Sequence, residues 1–123
     1  MKQLLLVFLG GGLGSILRFM VGKWLNSPKT GIPYGTFMAN ILGSLLIGFI
    51  LGWAAKNNNL NSSMVLLFAT GFCGGFTTFS TFAYENHVLL RTGDFTNFLL
   101  YTFTSLIVGF AAVFAGMAIS RYL

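Results

Sequence analysis

Apolar residues dominate four long stretches of the chain, about 3–25, 34–55, 63–90 and 95–120, and polar residues gather in the short segments between them. Each stretch can cross a hydrocarbon core as an α-helix, which takes about 20 apolar residues. None shows the ten-residue alternating pattern of a transmembrane barrel strand. The connections carry turn chemistry: Pro28, Gly31 and Pro33 in the first, an asparagine-rich run from Lys56 to Ser62 in the second, and Arg91-Thr92-Gly93-Asp94 in the third. The pattern predicts one all-α membrane domain over residues 1–123, with four transmembrane helices and both termini on the same side. Met1-Lys2-Gln3, the run Leu4–Leu9 and the small residues Gly10–Ser15 outline a secretory leader. However, no A-x-A-like site closes the run, and apolar residues resume after Arg18 through Trp24, so the stretch reads as a span.

Composition narrows the function classes. The 123 residues are 55% hydrophobic and 7% charged, against about 25% charged in a typical soluble domain. Seven Lys/Arg and two Asp/Glu cannot coat a globular core with solvated side chains, which excludes a soluble enzyme and a disordered chain. A single cysteine, Cys73, excludes an intrachain disulfide scaffold. The net charge of +5 comes from scattered residues (Lys2, Arg18, Lys23, Lys29, Lys56, Arg91, Arg121). They form no nucleic-acid patch, and most sit at helix ends where basic side chains snorkel. One histidine, one cysteine and two acids, Glu85 and Asp94, assemble neither a metal centre nor a catalytic triad. The chain is not expected to be an enzyme.

Basic residues usually accumulate on the cytoplasmic side of a membrane protein and set its orientation. Here Lys2, Lys56 and Arg121 fall on the side of the termini, and Lys23, Lys29 and Arg91 on the other. The balance leaves two readings: orientation is set by something else, or the chain inserts both ways and pairs head to tail. Small size favours the second, because four helices enclose little room for a permeation path. An antiparallel homodimer would have eight helices about a two-fold axis in the membrane plane.

Small residues recur at helical spacing. Gly10, Gly11, Gly12 and Gly14 lie in the first stretch, Ser44, Gly48 and Gly52 in the second, and Gly109, Ala112 and Gly116 in the fourth. Such stripes let helices approach closely in lipid. The third stretch differs. At about 28 residues it is long for one upright helix, and Gly74-Gly75-Phe76-Thr77-Thr78 is poor helix material. Residues 74–77 lie roughly 18 Å from its start at 1.5 Å per residue, near the bilayer midplane. A helix broken at that depth is tolerated when buried or lining a polar cavity, and such breaks bind ions through freed carbonyls. Carbonyls without a carboxylate suit a monovalent cation. A simple kink for close packing is the plainer alternative.

Beyond the glycines, Phe79 and Phe82 share a helix face, amid the hydroxyls of Thr77, Thr78, Ser80 and Thr81. An aromatic edge is electropositive and can meet an anion. Asn40 offers amide donors in the second stretch, and Tyr101, Thr102, Thr104 and Ser105 offer hydroxyls in the fourth. Each residue has a plainer role as packing, interhelical glue or self-bonding hydroxyl. Together they are donor-rich and carboxylate-poor, which suggests an anion path. Arg18, inside the first stretch, favours an anion too; snorkelling or pairing with Glu85 are its alternatives.

The run Gly71-Phe-Cys-Gly-Gly-Phe-Thr-Thr-Phe-Ser-Thr-Phe82 closely resembles the Fluc (CrcB) fluoride channel family, as do Gly10-Gly-Gly-Leu-Gly-Ser-Ile-Leu-Arg18 and Gly35-Thr-Phe-Met-Ala-Asn40. The resemblance covers essentially the whole chain. It implies a dual-topology homodimer with two antiparallel fluoride pores and a central structural Na⁺ held by the backbone carbonyls of Gly74 and Thr77 from both subunits. It also implies that Phe79 and Phe82 are the pore phenylalanines and Asn40 a pore-lining donor. By looser matches, Thr81, Tyr101 and Ser105 form a polar track and Arg18 serves an aqueous vestibule. The implied role is passive export of fluoride across the inner (plasma) membrane of a bacterium. A small four-helix multidrug exporter would need an intramembrane carboxylate, and the first helix has Arg18 and no acid. A non-transporting assembly subunit would leave the Asn40, Phe79 and Phe82 constellation without a purpose.

Overall fold

The computed structural model describes residues 1–27 and 31–123. Pro28 and Lys29, counted above in the first connection and the charge balance, lie outside the described residues. All regular structure among the described residues is helical. Helix α1 spans Lys2–Leu25 and α2 spans Tyr34–Lys56. A third span runs Ser63–Arg91, and its last portion, Phe79–Arg91, is called α3; α4 spans Phe95–Arg121. All four spans are long and apolar enough to cross a membrane, so the chain is a multi-pass membrane protein. Their bounds fall within one residue of those expected from the apolar stretches.

Helix ends follow local chemistry. Asn26 ends α1 in an extended conformation, and its side chain then serves α2: Oδ1 accepts from the backbone N–H of Gly35 at 2.7 Å and of Thr36 at 3.3 Å. These are orphan donors of the first turn, which a side-chain oxygen satisfies. Asp94 does the same for α4, accepting from Asn97 N–H. Gly93 before it has φ +80°, a conformation that glycine adopts without a Cβ clash.

Small residues take the closest helix contacts and many large ones face outward, while Phe76, Phe82, Leu89 and Tyr101 form the bulky part of the interior. Ala39, Ala54 and Ala69 are buried, whereas Phe8, Phe19, Phe110 and Phe114 are exposed. That arrangement suits a hydrocarbon solvent, where close backbone approach rather than apolar burial holds helices together. Helix α1 packs on residues 66–76 of the third span, and α2 packs on α4. A Cβ at Gly10 or Gly14 would collide with the Leu67 or Phe72 carbonyl oxygen, and one at Gly75 with that of Gly11. Gly48 and Gly116 meet the opposite backbone in the α2–α4 pair in the same way. Gly109 departs from the expected stripe: its nearest neighbour is Ile41 Cδ1 at 3.9 Å, and with Ser44 it lines a cavity instead.

Within the third span the backbone departs from the expectation that residues 74–77 are irregular. Ser63–Val65 is α-helical, Leu66–Cys73 winds in wider π-type turns, and Gly74–Phe76 returns to α geometry. Gly74 is therefore helical (φ −62°, ψ −36°), and Gly75 serves close packing against α1. The extended residues are Thr77 (φ −88°, ψ 155°) and Thr78 (φ −151°, ψ 119°). Side-chain bonding accounts for the shift. Thr77 Oγ1 and N–H both donate to the Cys73 carbonyl, at 2.8 and 3.0 Å, and Thr78 Oγ1 accepts the Thr81 N–H to start α3. Hydroxyl competition of this kind ends one helix and caps the next.

Candidate functional site

The Thr77–Thr78 step leaves carbonyls unmatched. In a continuous helix the Thr78 N–H would donate to the Gly74 carbonyl and the Thr81 N–H to that of Thr77. Instead they donate to Asn40 Oδ1 at 2.8 Å and to Thr78 Oγ1 at 3.2 Å. The Gly74 and Thr77 carbonyls thus lose their helical donors. The Gly75 carbonyl between them is covered: Arg18 Nε donates to it at 3.0 Å and Ser15 Oγ at 3.4 Å.

Asn40 completes the step. Its Nδ2 donates to the Thr78 carbonyl at 3.3 Å, so its side-chain amide pairs with both backbone groups of Thr78. One of its two amide hydrogens is committed there, where the sequence suggested two free donors.

A partly open cavity of about 360 Å³ lies against this step, lined among others by Asn40, Gly74, Thr77, Phe79, Phe82 and Ser105. Among the described residues, no charged side chain lines it. Phe79 is 78% exposed and Phe82 9%, with ring centroids 6.0 Å apart. Phe82 packs on Tyr101, with ring centroids 5.1 Å apart and ring planes tilted by 56°. Ser105 Oγ is the one buried side-chain polar atom among the described residues without a hydrogen-bond partner.

A second cavity, about 470 Å³, is lined by Arg18, Lys23, Asn26, Thr36, Thr78 and Thr81, with Phe19 and Gly22. Thr78 lines both cavities.

The nine residues singled out from sequence therefore divide. Asn40, Gly74, Thr77, Phe79, Phe82 and Ser105 share the first cavity, and Arg18 and Thr81 the second. Tyr101 lines neither. It is buried behind Phe82 and donates its hydroxyl to Glu85 Oε1 at 2.7 Å. Among the looser hydroxyls, Thr102 donates to Asn86 at 3.0 Å and Thr104 is exposed.

Sequence reasoning missed a hydrogen-bonded chain across four elements. Asn26 Nδ2 donates to Thr36 Oγ1 at 3.4 Å, Thr36 Oγ1 donates to Glu85 Oε2 at 2.7 Å, and Tyr101 closes on the other carboxylate oxygen. Arg18 does not pair with Glu85, because its guanidinium goes to the Gly75 carbonyl. The available signal was spacing: Glu85 is three residues beyond Phe82 and so shares its helix face.

Comparison with known proteins fits this geometry. Residues 5–117 match the family described as CrcB-like protein, Camphor Resistance (CrcB). The chain belongs to the CrcB-like family. Among its CrcB-like relatives is the Fluoride-specific ion channel FluC of Gloeothece citriformis, 49% identical over 118 residues, 95% of each chain. The proteins of the same name from Azobacteroides pseudotrichonymphae and Oceanobacillus iheyensis are 41% and 38% identical, over 99% of this chain and 98% and 94% of theirs. These CrcB-like relatives carry the name of ion channels, not of enzymes. The family resemblance read from the Gly71–Phe82 run is thereby borne out.

Proposed function

We propose that this chain is a fluoride-selective channel that exports fluoride passively across a bacterial plasma membrane and lowers its toxicity. The relatives named as fluoride channels supply the ion. The observation in this chain that carries the reading is Ser105 Oγ, a buried hydroxyl without a partner among the described residues, on a cavity shared with Phe79 and Phe82. A buried polar group left unpaired costs about 1–3 kcal/mol, which a bound anion recovers. Fluoride is compact and strongly hydrated, so donors must replace its water at every step while binding stays weak enough for exit. Ring edges of Phe79 and Phe82, the remaining amide hydrogen of Asn40, and the hydroxyls of Ser105 and Thr81 provide such donors. Tyr101 joins the track when its hydroxyl leaves Glu85. Arg18 stands in the vestibule.

The functional unit in this reading is an antiparallel, dual-topology homodimer with two pores and a third helix broken near the bilayer midplane. The exposed Phe79 and the open first cavity support it, because a second copy would cover both. The freed carbonyls of Gly74 and Thr77 fit a central structural Na⁺, contributed from both copies. Oxygen dipoles without carboxylates suit a monovalent ion, and the bound charge would hold the two steps together.

Fluoride efflux from liposomes loaded with purified protein tests the function, with chloride as control. Fluoride release well above chloride release is expected. No fluoride flux, or equal chloride flux, overturns it. Cross-linking that captures only parallel dimers overturns the antiparallel assembly.

A further inference from the structure

We infer that Lys23 is the outer capture residue of the second cavity, drawing fluoride to its mouth before the ion reaches Thr78. The inference rests on reading that cavity as the vestibule of the channel.

Among the described residues, the charged side chains lining the cavity are two cations, Arg18 and Lys23, with no carboxylate. They are not equivalent. Arg18 is half-buried and tethered by Nε to the Gly75 carbonyl, so its charge is fixed beside the Thr77–Thr78 step. Lys23 is exposed and lies about 7.5 Å further along α1, from five residues at 1.5 Å each. The neighbouring carboxylate, Glu85, sits behind Thr36, with one oxygen accepting the Thr36 hydroxyl and the other that of Tyr101. Among the described lining residues, the exposed end of the cavity therefore carries an untethered ammonium and the more buried end a fixed guanidinium.

The chemistry suits that division. An ammonium is a strongly hydrated point charge on a flexible stem, so it raises the local anion concentration without stripping or trapping the ion. A charge at the rim of a low-dielectric cleft acts on encounter rate, and salt screens it. The screening length is about 30 Å at 0.01 M and about 3 Å at 1 M ionic strength. A residue acting only through packing or neutral hydrogen bonds would lack that salt dependence.

The test measures initial fluoride efflux from liposomes for the wild type, K23Q, K23E and K23R, at about 0.01 M and about 1 M ionic strength. At low salt K23Q should lose about threefold and K23E about ninefold, the effect of one and two unit charges at short range in water. K23R should match the wild type, and the differences should collapse at high salt. Thermal melts establish that each variant is folded. Equal low-salt flux in wild type and K23E overturns the inference, as does a loss in K23Q that is the same at both salt concentrations. A wild type that passes no fluoride overturns the channel reading itself and this inference with it, a result distinct from a working channel indifferent to residue 23.

Discussion

Asn40 and Thr78 hold each other through two hydrogen bonds, Thr78 N–H to Asn40 Oδ1 at 2.8 Å and Asn40 Nδ2 to the Thr78 carbonyl at 3.3 Å. A side-chain amide on α2 thereby imitates a strand partner for one extended residue of the third span. The same bond withdraws the Thr78 N–H from Gly74, so Asn40 shapes the Gly74 carbonyl without touching it.

Asn40→Ala should cost about 1–3 kcal/mol, because it strands a peptide N–H and C=O. Thermal unfolding in detergent reads this as a lowered midpoint, and fluoride efflux should fall at least tenfold. A variant with wild-type flux would show that the Thr78 geometry holds without the pair.

Ser105→Ala should separate stability from transport. Because Ser105 Oγ has no partner among the described residues, its removal should leave the melting temperature unchanged or slightly raised. Flux should fall roughly tenfold, since a hydrogen bond to a charged group is worth about 1.5–3 kcal/mol and 1.4 kcal/mol is about a factor of ten. Wild-type flux in this variant would remove Ser105 from the path.

The two adjacent glycines should behave oppositely. A Cβ at Gly75 meets the Gly11 backbone, whereas one at Gly74 meets nothing within 4 Å. Gly75→Ala should force α1 away, at about 1–3 kcal/mol or more, and reduce the yield of folded protein. Gly74→Ala should keep its helical content yet lower the dimer fraction in light scattering after size exclusion, because the added methyl faces the proposed partner. A fully dimeric Gly74→Ala would argue against a partner at this surface.

Replacing Na⁺ with a bulky organic cation throughout purification should lower the melting midpoint and weaken the dimer, with recovery on adding Na⁺ back. Indifference of both structure and flux to Na⁺ would remove the central cation from the account.

The spans were legible because hydrocarbon imposes a coarse rule that local residues state on their own: about 20 apolar residues, then a turn. The family was legible too, in the Gly71–Phe82 run. Less legible was where the third span departs from a helix. Glycine propensity pointed to residues 74–77, yet Gly74 and Gly75 remain helical and Thr77 and Thr78 are extended. The outcome depends on Asn40, 38 residues away in sequence, and on hydroxyls whose choice between backbone and cap is decided by competition. The wide turns over Leu66–Cys73 have no evident sequence signal.

The sequence by itself determined the membrane class, the four helices and the stock of donors through composition and periodicity, and the family through the Gly71–Phe82 run; all are properties of the chain alone. The tertiary structure decided which donors are free. Asn40 is half-committed to Thr78, Arg18 to Gly75 and Tyr101 to Glu85, while Ser105 has no partner among the described residues. Each hydroxyl has a single hydrogen to give, and its recipient is set by which helix packs against it.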